Sequence, residues 1–499
     1  MGKYYIGFDA GTQSVKVVIY SLEMECIAEA NYPTFFEYPH PGWVQMNVDE
    51  YLEAVKKGIR DVVNTAKEKG IDPSEVRAIF GDGIICGIVG VDESGAAITP
   101  YINYLDSRTQ KDTEELTAKN LDIWARETGN AVPNCMFPAM FARWFLKNNE
   151  AFKEKGKKFM HNAPYVLSRL AGLKAEDAFI DWSKGQLDIL GIDISYMPKI
   201  VKPWDIIGGL TEENAAFTGL PAGTPICGGA GDTMQSMIGC GLTEVNQAAD
   251  VAGTCAMFCV STDGIKPELS TPDSGLIFNS GTMENTYFYW GYIRTGGLSL
   301  RWYRDNICDK EGDGEYYDLL SEKAKDVPAG SNGVLFLPYL TGGYGDFANA
   351  SGAFLNMTMD TNQEVLWRAV LEAIGYDYIS VTDVYRAGGV SLDKITVTEG
   401  GSRSDLWNQI KADMLNSTVT TLKKAGGAVM TNVVVAAYAV GDIDNLKDSF
   451  NSWLEVKKVY TPDPENTKYY RSIYNMQNKL VREDMKPTFD MLERIREYK

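Results

Sequence analysis

Residues 4–9 form an apolar run that ends at Asp9, and residues 15–20 form a second, with Gly11-Thr12-Gln13-Ser14 between them. That pattern predicts a buried strand, a tight turn and a second strand, so the chain opens on a β-hairpin. Leu52, Val55, Ile59, Val62, Val63 and Ala66 recur with helical spacing over residues 49–69, with Asn47 or Asp49 as cap and Gly70 as stop. A buried strand at 76–80 follows. In the second half the spacing predicts a long helix over 364–386 ended by Gly388-Gly389, then a strand at 395–398. The loop Glu399-Gly400-Gly401-Ser402-Arg403-Ser404 leads from that strand into a further helix reaching Leu415. Strands alternate with helices in both halves, which predicts an α/β fold.

The opening hairpin recurs. Asp9-Ala10-Gly11-Thr12-Gln13-Ser14 is echoed about half a chain later by Asp250-Val251-Ala252-Gly253-Thr254-Cys255, again followed by an apolar, strand-like run. A shared Ala-Gly-Thr triplet alone carries little, but the matching context on both sides predicts two domains of similar architecture. Their boundary is expected near 242–246, giving domains 1–244 and 245–499.

The length of 499 residues agrees, since it accommodates two to four domains at about 100–200 residues each. Lys and Arg total 48 against 67 Asp and Glu, a net charge of −19, which argues against nucleic acid as a partner. A phosphate site on so acidic a chain has to be built locally, from backbone N–H groups, a metal or a few basic side chains. His40 and His161 are the only histidines, so a Ser-His or Cys-His nucleophile and a multi-histidine metal cage are disfavoured. Proton transfer then falls to carboxylates. The eight cysteines contain no C-x-x-C pair and are mostly flanked by apolar residues, as reduced core thiols would be. The start shows no signal-peptide pattern, and the apolar stretches 78–91 and 433–440 are too short to span a bilayer, the first interrupted by Asp82. A cytoplasmic protein with no membrane partner is expected.

Gly11-Thr12, Gly253-Thr254 and Gly400-Gly401 each follow a predicted strand, where glycine lets the backbone approach a phosphate or nucleobase closely. Neither a Walker loop nor a G-x-G-x-x-G occurs at these turns. Two of them on duplicated hairpins look like the two-sided phosphate clamp of an actin-type nucleotide site. A fourth segment, Gly228-Gly229-Ala230-Gly231-Asp232-Thr233, places a carboxylate on a tight loop after an apolar run. Asp232 there can take a proton from a substrate hydroxyl, or it can simply cap a helix over 234–238.

With Gly7-Phe8-Asp9-Ala10-Gly11-Thr12-Gln13-Ser14, Leu105-Asp106-Ser107-Arg108, Thr128-Gly129-Asn130 and Gly228-Gly229-Ala230-Gly231-Asp232, the chain resembles the FGGY carbohydrate kinases. Gly296-Gly297-Leu298-Ser299-Leu300-Arg301-Trp302, Leu335-Phe336-Leu337-Pro338-Tyr339-Leu340 and Glu399-Gly400-Gly401-Ser402-Arg403-Ser404-Asp405 extend the resemblance over nearly the whole chain. This branch of the actin-like ATPases includes xylulokinase, glycerol kinase, ribulokinase and the quorum-signal kinase.

The resemblance implies two actin-like (ribonuclease H-like) domains around a nucleotide cleft, the first carrying the sugar site and base, the second most of the nucleotide site. It implies ATP and Mg²⁺ as cofactors and Asp232 as general base. Asp9 and Asp232 would hold Mg²⁺ mainly through water and the ATP phosphates. Asp9, Gly11, Thr12, Gln13, Ser14, Gly253, Thr254, Gly297, Arg301, Gly400, Gly401 and Asp405 would face the nucleotide. Ile85, Cys86, Tyr104, Asp106 and Asn134 would join Asp232 around the sugar. Homodimers are common in the family.

Several positions depart from the family. Xylulokinases carry Met-His, and glycerol kinase and the quorum-signal kinase Arg-Glu, where this chain has Ile85-Cys86. Tyr104 replaces a family Trp, Gly342-Gly343-Tyr344 replaces Gly-Glu-Arg, and a Glu is missing at Lys424-Ala425-Gly426-Gly427-Ala428. The pocket thereby loses side chains that hydrogen-bond hydroxyls, which unsettles the usual xylulose specificity. The expected activity is phosphorylation of a small sugar, a xylulose-like ketopentose first, and a polyol or the quorum signal as alternatives. From another class, a non-catalytic actin-fold sugar sensor is the rival.

Overall fold

The computed structural model describes residues 2–119, 122–177, 187, 190–253, 256–293, 296–343, 348–423 and 427–497. Two seven-stranded sheets organise them. In the first, Cys26–Pro33, Ser14–Ser21 and Tyr4–Ala10 run antiparallel, Val76–Gly83 joins parallel to Tyr4–Ala10, and Pro225–Cys227 and Ile206–Gly209 complete the order. The short strand Ala230–Gly231 pairs with the end of Val76–Gly83. The second sheet repeats the plan: Tyr287–Ile293, Ala256–Thr262 and Ala248–Ala252 run antiparallel, and Lys394–Thr398 and Thr418–Leu422 continue parallel. The duplicated hairpin is therefore the centre of each sheet.

Tyr5, Ile6 and Phe8 on the opening strand are buried on both faces, so helices must cover the sheet on two sides. On one side Ile6, Phe8, Val17 and Ile19 meet Tyr51, Val55, Ile59 and Val62 of helix Asp49–Glu68. On the other, Tyr5, Val18, Ala78 and Phe80 meet Val433, Val434 and Ala437 of helix Ala428–Ala439. That helix lies in the second half of the chain yet packs on the first sheet, and Gly7 admits it: a Cβ there would sit 2.8 Å from the Val429 carbonyl oxygen.

Helix boundaries match the spacing closely, with local differences. Val48 occupies the cap position of helix Asp49–Glu68, while Asn47 accepts from the Asp49 N–H at 3.0 Å and the Asp49 carboxylate from Tyr165. Gln363–Ala387 is capped by Asn362, and Asp405–Leu415 by Ser404. The strand expected at 76–80 runs on to Gly83, because its parallel pairing continues through Asp9 with Asp82 and Ala10 with Gly83. A four-stranded sheet of Gln45–Met46, Tyr101–Asn103, Gly87–Val91 and Lys158–Met160 builds a separate core with Trp124, Phe141, Phe145 and Phe159 beside this strand end. Among the described residues no helix is long and apolar enough to cross a membrane.

Candidate active site

Parallel strands point their carboxyl ends to one side of a sheet, and ligands gather there. At that edge of the first sheet stand Asp9, Asp82 and, at the start of helix Asp232–Gly239, Asp232. Ala230 lies in register with Asp82 and Gly231 with Gly83, which sets Asp232 immediately beyond the strand ends. Asp232 Oδ1 accepts from the Thr233 N–H at 2.6 Å and from Thr233 Oγ1 at 3.1 Å. Gly231 cannot be larger, since a Cβ would collide with Ile85 Cγ2.

This crowding of carboxylates in a buried edge shapes their acidity. Burial pushes Asp232 up to about 6, with Thr233 and the Ile85 backbone pulling the other way. Asp9 is pushed up to about 7, by burial first and by the Asp232 charge second. Asp82, fully buried, is held well above the usual carboxylate range by burial and then by the charges of Asp9 and Asp232. Asp9 Oδ1 and both Asp82 oxygens are buried and make no well-formed hydrogen bond, though Asp9 and Asp82 face each other and Asn432 faces Asp82. Buried acceptors of this kind need a donor or a cation. They therefore fit a divalent cation with its bound phosphates. Among the described residues no three His, Cys, Asp or Glu converge tightly enough to hold an ion alone.

A raised folded pKa means stability present below the unfolded value near 4 and lost as pH rises through the folded one. The ligand-free protein should accordingly be less stable at pH 8 than near pH 5. Asp82→Asn should stabilise it at pH 8, with the gain shrinking toward pH 4. Urea unfolding at the two pH values reads this; a destabilised variant at pH 8 would show that the Asp82 charge is compensated.

The first turn folds over Asp9. Gly11 N–H donates to Ser14 O at 3.1 Å, Tyr51 OH to Gly11 O at 3.1 Å, and Thr34 pins Thr12 O and Gln13 O. Tyr104 reaches this turn, its hydroxyl 3.3 Å from Thr12 Oγ1. The second turn gathers the other glycines: Gly297 N–H donates to Gly253 O at 3.1 Å, and Gly401 packs against Ala252. Thr254 lies outside the described residues. Arg301 is exposed on helix Gly296–Trp302.

Other expected residues lie apart from this cluster. Both Asp106 oxygens are taken by Arg108 and the Val44 N–H in a fully buried pair. Asp405 turns its carboxylate to Lys458 and Tyr460 on the edge strand Val456–Tyr460. Asn134 caps a local turn by accepting from the Met136 N–H.

Beside Asp232 opens a cavity of about 400 Å³, walled by Ile85, Cys86, Met234, His161 and, from the second half, Phe278 and Thr282. Burial pushes the Cys86 thiol up to about 12 and the His161 imidazole down to about 4, so both are neutral. A buried chain of hydrogen bonds links the cavity to the opening strand. Thr282 Oγ1 donates to Gln235 Oε1 at 2.5 Å, Gln235 Nε2 to Asn432 Oδ1 at 2.7 Å, and Asn432 Nδ2 to Phe8 O at 2.9 Å. Sequence reading missed Asp82, Gln235, Asn432 and His161; the lone Asp in an apolar strand was the available signal.

Residues 4–239 match the N-terminal domain of the FGGY family of carbohydrate kinases, and residues 248–440 match its C-terminal domain. A xylulose kinase of Staphylococcus epidermidis (strain ATCC 12228 / FDA PCI 1200) is 25% identical over 505 residues, covering 98% of either chain. A gluconokinase of Bacillus licheniformis is 26% identical over 95% of this chain and 94% of its own. The crystal structure of xylulose kinase from Rhodospirillum rubrum superposes with a TM-score of 0.85 at 26% identity, over 98% of this chain and 100% of that one.

Proposed function

Because the chain belongs to the FGGY family of carbohydrate kinases, matching both family domains in order, we propose that it transfers the γ-phosphoryl group of Mg²⁺–ATP to a hydroxyl of a small sugar or polyol. The observation that carries the reading is Asp232: a carboxylate at a helix start, beside the cavity and next to the Asp9 and Asp82 cluster. Asp232 accepts the acceptor hydroxyl's proton as that oxygen bonds to Pγ and the bond from Pγ to the ADP oxygen breaks. Asp9, with Asp232 beside it, would hold the cation mainly through water and the ATP phosphates, and Mg²⁺ when bound would neutralise phosphate charge. Gly11 to Ser14 on one side and Gly253 with Gly297 on the other offer backbone to the phosphates, and Gly401 lies beside them.

In this reading residues 1–244 supply the base and most of the acceptor cavity, residues 245–499 most of the nucleotide site, and residues 277–282 the cavity's far wall. The acceptors considered first are xylulose-like ketopentoses, then polyols and the quorum signal. An ADP-release assay with Mg²⁺–ATP against a panel of these compounds tests it. Stimulation by one acceptor well above the acceptor-free rate is expected. A flat response from protein that still binds ATP would favour a sugar sensor instead.

A further inference from the structure

Most polar side chains lining the cavity beside Asp232 are engaged within the protein, and His161 and Ser280 line it as well. Asn130 spends its amide on Phe278 N, Phe278 O and Thr128 O, and Thr128 Oγ1 accepts from the Asn130 N–H. Asn162 donates to Ala10 O and accepts from the Ala163 N–H, Asn279 accepts from Trp290 Nε1, and Thr282 donates to Gln235. Ile85 and Met234 lie against Gly231 and Cys86 feels the Asp232 charge, so the wall next to the base is apolar or neutral, with Phe137, Phe278 and the neutral His161 elsewhere in the lining. Among the described lining residues there is no Lys or Arg, and the one carboxylate, Glu127, is exposed at the rim, while Asp232 adjoins the lining through Gly231.

A hydroxyl entering such a space leaves its water and finds few unengaged partners, whereas a methyl or methylene gains contact with Ile85, Met234 and Phe278. A carboxylate on the acceptor would meet no cation. We propose that the acceptor is a neutral, hydroxyl-poor compound, a deoxysugar or deoxypolyol, that presents one hydroxyl to Asp232 and an apolar carbon to the Ile85, Cys86 and Met234 wall. This rests on the kinase reading above and narrows its substrate class.

The test compares ADP release with acceptor pairs that differ by one hydroxyl, 1-deoxy-D-xylulose against D-xylulose and 1,2-propanediol against glycerol, with D-gluconate as the charged control. The deoxy member should show kcat/KM at least about tenfold higher in one pair or both, with gluconate inert. Preference for the hydroxyl-rich member in both pairs, or turnover of gluconate, overturns the proposal. Calorimetric binding of the same pairs, with a non-hydrolysable ATP analogue present, separates the two readings. If no compound is phosphorylated but the deoxy member binds about tenfold tighter, the cavity inference stands and the kinase reading falls. If neither member is preferred in binding or turnover, the cavity inference falls. Cys86→Ser, which sets a hydroxyl in the wall, should move the ratio toward the hydroxyl-rich member; an unchanged ratio in a folded variant removes that wall from acceptor recognition.

Discussion

Asp232→Asn is expected to lower kcat by about 10²- to 10⁴-fold, the range for removing one general base, while the affinity for Mg²⁺–ATP falls far less, because Asp9 remains to hold the cation. The amide keeps the size of the carboxylate and can still accept from Thr233 through its oxygen, so the helix start survives. What it loses is the ability to take a proton as the acceptor oxygen attacks, an interaction made in the transition state, which is why kcat carries the loss. The wild-type pH profile supplies a second reading. With Asp232 pushed up to about 6, the base is protonated and inactive below that pH, so kcat/KM falls on the acid side through about pH 6. The variant should lose the Asp232 contribution to that limb, leaving the titration of Asp9, which burial raises. A variant that loses ATP affinity but keeps kcat at saturation would reassign Asp232 to nucleotide binding.

The parts of this site that were legible in the sequence share one property: their geometry is local. Gly11 to Ser14 and Gly253 are turns between adjacent strands, and Asp232 sits where a Gly-rich loop meets a helix. The family resemblance assigns Ile85 and Cys86 to the acceptor pocket, and Ile85 lies against Gly231, next to Asp232. Asp82 was read only as an interruption of an apolar run, because its meaning depends on parallel register with Asp9 and Ala230, which periodicity does not encode. The same holds for Asn432, carried to Phe8 by a helix nearly the whole chain away. Asp106 shows the reverse. Its short motif suggested a substrate contact, and the fold occupies it with Arg108, itself stacked on Trp43 with its guanidinium carbon 4.0 Å from the ring centroid. A motif names residue types, and only packing decides which of their atoms remain free.

Lys411→Met should destabilise the second half of the protein by about 3–5 kcal/mol, the cost of leaving one member of a buried ion pair unpaired. Lys411 Nζ lies 2.5 Å from Asp250 Oδ2, and both side chains are almost fully buried. Tyr378 OH donates to the other Asp250 oxygen at 2.6 Å, and the ammonium sits 3.8 Å from the Trp407 ring centroid. Asp250 belongs to strand Ala248–Ala252, which ends against Gly253, so this pair ties helix Asp405–Leu415 and helix Gln363–Ala387 to the base of the Gly253 turn. Burial lowers the Lys411 pKa, and the Asp250 charge opposes that shift. Methionine fills the same space without charge and strands Asp250 with a single donor. Urea unfolding followed by the fluorescence of Trp407 and its neighbours measures the loss. The double variant Asp250→Asn with Lys411→Met should recover much of it, because no ion then remains in the core, and the two losses are strongly non-additive. Additive losses would mean that the two groups act separately. A single-variant loss below about 1 kcal/mol would mean that water reaches Asp250 and solvates it as an exposed pair is solvated.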